Sequence, residues 1–101
     1  MPVAAIGDAV LVLGELTSNA VRHTGTDFTI LATWDGGTLR LEVFDRDTRL
    51  PTLFGLDYES TSGRGLHLVA AVAADWGWYA AADDAGVPGK VVWAELRIDG
   101  A

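Results

Sequence analysis

Gly36-Gly37 constrains this chain more than any other feature, because it parts two strand-like runs by only two residues. Residues 27–35 (Asp-Phe-Thr-Ile-Leu-Ala-Thr-Trp-Asp) and 38–45 (Thr-Leu-Arg-Leu-Glu-Val-Phe-Asp) are rich in β-branched and aromatic side chains. Glycine reaches the turn conformations that match strand twist at no steric cost, so the two runs are predicted to pair as an antiparallel hairpin.

The rest of the chain supplies two helices and a second strand pair. Residues 3–24 read as a helix, with Ile6, Val10, Leu13, Thr17 and Ala20 as its apolar stripe. Gly7 and Gly14 weaken it by roughly 1 kcal/mol each relative to Ala, and Gly25 is the expected C-terminal cap. Residues 46–62 read as a loop. Gly63-Arg64-Gly65 opens a second helix over about 64–74, with Leu66, Val69, Ala70 and Ala73 on one face. Residues 75–82 and 90–99 form the second strand pair, turned by 83–89. The order helix, strand, strand, helix, strand, strand predicts an α/β (α+β) two-layer sandwich, a mainly antiparallel sheet with helices on one face. Its 101 residues suffice for a single domain, 1–101.

Composition narrows the function. A formal net charge of -7 argues against a direct nucleic-acid partner, which needs Lys and Arg to neutralise phosphates. It leaves open a nucleotide, whose few phosphates backbone N–H groups and a metal can hold. With no Cys, disulfides, thiolate metal sites and Cys nucleophiles are excluded. Asp8 and Glu15 interrupt the N-terminal apolar stretch, which is not expected to be a signal peptide, and no apolar run approaches a membrane span. A cytoplasmic protein without membrane contact is the expectation.

Three places break the apolar pattern with chemistry. Glu15, Asn19 and His23 stand at i, i+4 and i+8, in a row beside the predicted stripe. Glu can act as a general base and Asn can give Mg²⁺ a neutral oxygen, but a solvated helix flank has the same spacing. Asp45 shares the phase of Leu39, Leu41 and Val43, so its carboxylate faces the core and needs a donor. An adenine amine would serve; so would the next turn, Arg46 or Arg49. Ser60-Thr61-Ser62-Gly63-Arg64-Gly65-Leu66 either brings backbone N–H groups to an anion at a helix start or is a plain capping turn with Ser62 near the N-cap. Trp76 and Trp78 share one strand face and are expected to pack under the helices. Trp93 and Val91 fall on the opposite phase from Ala94 and Leu96, as a candidate exposed partner patch.

Taken in order, these segments resemble the histidine-kinase-like ATPase superfamily, and within it the small bacterial anti-sigma regulatory factors with serine/threonine protein kinase activity. Glu15-Leu16-Thr17-Ser18-Asn19-Ala20-Val21-Arg22-His23 looks like the N box. Asp45-Arg46-Asp47-Thr48-Arg49-Leu50-Pro51 stands where the first Asp/Gly box falls, and Gly63-Arg64-Gly65-Leu66-His67-Leu68-Val69 looks like the second Gly box. Asp75-Trp76-Gly77-Trp78 with Gly89-Lys90-Val91-Val92-Trp93-Ala94-Glu95-Leu96 is similar to the closing strand pair. The likeness covers essentially the whole chain.

The resemblance implies an ATP- and Mg²⁺-binding regulator. Glu15 would be catalytic, orienting or deprotonating the attacking hydroxyl. Asn19 would hold Mg²⁺ against the phosphates. Asp45 would read the adenine amine, with Asp47 beside it. Gly63, Arg64, Gly65 and Leu66 would bring backbone to the phosphates, and His23 joins the ATP-binding set through the N box. Lys90 would be a phosphate-side cation or, on the residues alone, a solvated turn lysine. The implied partners are a small anti-anti-sigma-like antagonist protein, phosphorylated on Ser or Thr, and a sigma factor. The alternative is a non-catalytic protein-binding module of the same fold. The sequence departs from the pattern in three places. Asp47 and Arg49 stand where the family has glycines, and Val91 replaces the usual Thr. The chain also begins almost inside the N-box helix, where a strand and a helix normally come first. Either the start is misassigned, or the chain is trimmed, or the sheet lives without its N-terminal elements, in which case a homodimer could cover the exposed edge.

Overall fold

The computed structural model describes residues 3–24, 27–48 and 68–98, with helix side chains described over residues 5–21. Helix α1 spans Val3–Thr24; strands β1 (Phe28–Trp34), β2 (Thr38–Asp45), β3 (Asp75–Ala82) and β4 (Pro88–Arg97) follow, with a short helical stretch α2 over residues 68–72 before β3. The sheet is antiparallel throughout, in the order β1-β2-β4-β3. Two hairpins are thus joined through β2 and β4. Val69 of α2 shares one buried cluster with Val12, Leu16 and Ala20 of α1 and with Leu41, Val43, Val92, Ala94 and Leu96 of the sheet. Both helical segments therefore cover the same sheet face, the two-layer arrangement the sequence predicts. Residues 64–67 and Gly25 lie outside the described residues.

Each hairpin turn is held by an aspartate. At the first, Asp35 Oδ1 accepts from the N–H groups of Gly37 (2.9 Å) and Thr38 (2.7 Å), and Gly36 takes a positive φ of 93° that only glycine adopts without strain. At the second, Asp83 Oδ1 accepts from Ala85 (2.9 Å) and Val87 (2.8 Å), with Gly86 at φ 82°. These bonds stabilise the ionised carboxylates. The pKa of Asp35 is lowered from 3.8, chiefly by Gly37 and then Thr38, and that of Asp83 chiefly by Val87.

The register arranges the sheet as rows. On the helix-facing side they read Phe28-Asp45-Lys90-Ala80, Ile30-Val43-Val92-Trp78 and Ala32-Leu41-Ala94-Trp76. On the other side they read Thr29-Phe44-Val91-Tyr79, Leu31-Glu42-Trp93-Gly77 and Thr33-Arg40-Glu95-Asp75. Trp76 and Trp78 pack against the core as expected, with ring centroids 5.4 Å apart. Gly77 lets the Trp93 ring lie close: a Cβ there would come within 3.1 Å of it, so the ring would have to give way by a few tenths of an ångström.

Two expectations about faces are corrected. The buried line of α1 is Val12, Leu16, Asn19 and Ala20, with Ala9 and Leu13 partly buried beside it; Leu13 and Ala20 of the predicted stripe thus pack inward, while Ile6 and Val10 are 47% and 67% exposed. The helix is apolar on nearly all sides in its first half, so several stripes have equal periodicity and packing selects the one bearing Val12 and Leu16. Thr17 stays at the margin, its Oγ1 donating to the Leu13 carbonyl at 2.9 Å. Val91 is buried rather than exposed, because Phe44 and Tyr79 flank it in the row on the helix-free face.

Helix α1 packs mainly on β2 and β4. β1 is left as a bare edge, with Ile30 and Trp34 about half exposed despite sharing the core phase. Between α1 and β1 runs a groove of about 340 Å³ lined by Thr17, Ser18, Val21 and Phe28. Phe28 pairs with Asp45, so the C-terminal third of α1 and the Asp45 row lie at the same end of the sheet.

Candidate functional site

The row at that end holds the one buried ion pair among the described residues. Asp45 and Lys90 are cross-strand partners on β2 and β4, pointing under the helices, and are 1% and 0% exposed. Burying either charge alone costs several kcal/mol, so each needs the other. Lys90 Nζ donates to Asp45 Oδ1 at 2.9 Å, and the Asp47 N–H donates to the same oxygen at 2.8 Å. Gly89 lets the strands close here: a Cβ at that position would strike the Asp45 carbonyl oxygen and the Phe44 ring.

The pair satisfies only half of the carboxylate. Asp45 Oδ2 is buried with no hydrogen-bond partner among the described residues. On α1, Asn19 is 7% exposed, and its Nδ2 is likewise buried without a described partner. A buried acceptor and a buried donor, both unfilled, are costly in a domain of this size. They sit on the same face, Asn19 from the helix and Asp45 from the sheet. An amine would complete Asp45; an anionic oxygen would complete the Asn19 amide.

The predicted site residues divide by where the structure brings them. Asp45, Asp47 and Lys90 meet directly. Asn19 is an inward residue of the helix face over the sheet, so the solvated-flank reading of the row fails at its middle member. Glu15, one turn earlier, is half-buried at the margin. The side chain of His23, and Gly63, Arg64, Gly65 and Leu66, lie outside the described residues. Lys90 is not a solvated turn lysine. Nor does Asp45 take Arg46, which instead pairs with Asp83 at 3.2 Å.

No family model matches the chain, and no curated protein matches it. Function therefore rests on residue geometry. Among the described residues no three of His, Cys, Asp and Glu gather to hold a metal ion, and no helix is long and apolar enough to cross a membrane.

The Asp45–Lys90 pair was missed in the sequence although its signal is there. Lys90 has the phase of Val92, Ala94 and Leu96, as Asp45 has the phase of Leu41 and Val43. Two opposite charges in core phase at the ends of two strands predict a buried pair once those strands are known to be neighbours.

Proposed function

We propose that the chain binds Mg-ATP, with adenine against Asp45, and acts as a small serine/threonine protein kinase of the anti-sigma regulatory type. The observation that carries the reading is the unfilled Asp45 Oδ2, a buried carboxylate oxygen in want of a donor such as the adenine amine. The inward Asn19 amide supports it from the opposite layer, suited to the phosphate end. In this reading ATP supplies the phosphoryl group and Mg²⁺ screens its charge. Asn19 positions the metal-bound phosphates. Glu15, at the margin of the same helix face, takes the proton of the incoming Ser or Thr hydroxyl. Phosphoryl transfer needs mainly positioning and charge neutralisation, which this small set provides. The protein substrate is a small antagonist protein, and a sigma factor is the second partner the resemblance implies. The histidine-kinase-like fold and a cytoplasmic setting belong to the same proposal.

One observation favours a second reading. Lys90 already neutralises Asp45 inside the fold, so the sheet can close without nucleotide, as a non-catalytic binding module would require. Glu15→Ala separates the two. In a kinase it abolishes phosphate transfer from radiolabelled ATP to a co-purified antagonist protein while ATP binding stays nearly intact. Wild-type protein that binds ATP yet labels no such substrate is the module.

A further inference from the structure

Lys90 is the only lysine in the chain, and it is fully buried. A lysine normally keeps its ammonium in water, so a buried one calls for a physical reason. Its Nζ donates to Asp45 Oδ1 at 2.9 Å, and the Asp47 N–H reaches the same oxygen at 2.8 Å. The two donors come from different places, one from β4 and one from the chain just past β2. A carboxylate left to itself turns easily about its last bond, because that torsion is broad and roughly two-fold. Two donors on one oxygen oppose that rotation. The other oxygen, Oδ2, is thereby held in one direction, buried and unfilled among the described residues. Arg46, the nearest cation in sequence, does not share this task, since it pairs with Asp83 at 3.2 Å.

We infer that Lys90 is a positioning residue for ligand selection: it pins Oδ1 and offsets the carboxylate charge, so that Asp45 offers Oδ2 alone to a single neutral N–H donor of the ligand. The inference rests on the reading that Asp45 takes the adenine amine, and adds the residue that makes the carboxylate selective. Asp45 and Lys90 are buried together as a neutral pair. An uncharged amine therefore brings no net charge into the site, whereas an ammonium or guanidinium would leave a surplus positive charge buried there. Direction matters as much as charge. A fixed acceptor penalises a ligand carbonyl that faces it, because two acceptors are then left unpaired. A carboxylate free to turn can swing away from the carbonyl, and the penalty shrinks.

The probe is inosine triphosphate, which has a carbonyl oxygen where ATP has its amine, titrated beside ATP with Mg²⁺ into the wild type and Lys90→Met by calorimetry. The wild type is expected to bind ATP at least about tenfold more tightly. In Lys90→Met the two affinities are expected to come within about threefold of each other. A role in stability alone would weaken both nucleotides together and leave their ratio unchanged. A tenfold preference kept in Lys90→Met overturns the inference and leaves the adenine reading standing. Equal binding of both nucleotides by the wild type, or binding of neither, overturns that reading and the inference with it. A second measurement needs no variant. With a single lysine in the chain, wild-type protein isotope-labelled at lysine gives one side-chain ammonium signal in nuclear magnetic resonance. The signal is expected in the free protein, protected by burial, and is expected to persist at saturating Mg-ATP. Its loss on saturation would mean that the base displaces Lys90 from Asp45, which overturns the inference even where Lys90→Met does not fold.

Discussion

At one end of the sheet the two faces reverse the usual rule. An antiparallel sheet with one covered face normally puts apolar residues under the helices and polar residues in water. Here the covered row holds Asp45 and Lys90, while the helix-free row directly behind it is apolar, with Val91 buried between Phe44 and the exposed Tyr79. Two residues along the strands the inner face is apolar again, with Val43 and Val92, and the outer face carries Glu42 and a Trp93 covered by Arg40. The departure is thus local and falls on both faces at once. A charge pair left half-satisfied inside and an apolar row left without a helix outside both cost stability in a small domain. Such local conflicts are where function is expected to reside.

Breaking the covered face should have the largest effect. Lys90→Met leaves the Asp45 carboxylate buried without its cation, at an expected cost of about 3–5 kcal/mol in urea unfolding. Adding Asp45→Leu should recover most of that, because two apolar side chains replace two charges; a double variant as unstable as the single one would mean that packing, not charge, is at stake. On the opposite face, Gly77→Ala pushes a methyl group against the Trp93 ring and should cost about 1–3 kcal/mol. An unchanged urea midpoint would show that the ring moves freely. Arg40→Ala uncovers Trp93 and should cost about 1 kcal/mol or less, since its ion pairs with Glu42 and Glu95 are partly exposed and the stacking is modest. Its guanidinium is held above its ordinary pKa chiefly by Glu42, with Glu95 adding, so the loss should be flat across neutral pH.

The smallest effect is at the turns. Asp35 and Asp83 have folded pKa values lowered from 3.8, so their contribution is present above that value and fades as acid takes the pH below it through the folded pKa. Asp35→Asn and Asp83→Asn should each flatten the acid limb of the stability curve and leave the neutral region little changed. A steeper limb in either variant would reverse the sign.

The strands were legible because Gly36-Gly37 and the alternation of Leu39, Leu41 and Val43 leave a single workable register. β2 and β3 begin and end where the pattern places them. The face of α1 was legible only in part: Leu13 and Ala20 of the expected stripe pack inward, but Ile6 and Val10 repeat as regularly as Val12 and Leu16, and only the sheet decides between them. That rotation matters for the site: it turns Asn19 inward. Asp45 was readable from its phase alone. Its partner was not, since Lys90 lies 45 residues away and the β2–β4 pairing that joins them is a long-range contact no local pattern encodes.

Mg-ATP titration of the purified chain by calorimetry, beside Asn19→Ala and Asp45→Asn variants first shown to be folded by circular dichroism, tests the central claim most directly. The account predicts saturable binding to the wild type at or below millimolar nucleotide, weakened in both variants. No saturation of the wild type at millimolar Mg-ATP, or equal binding by all three proteins, would contradict it.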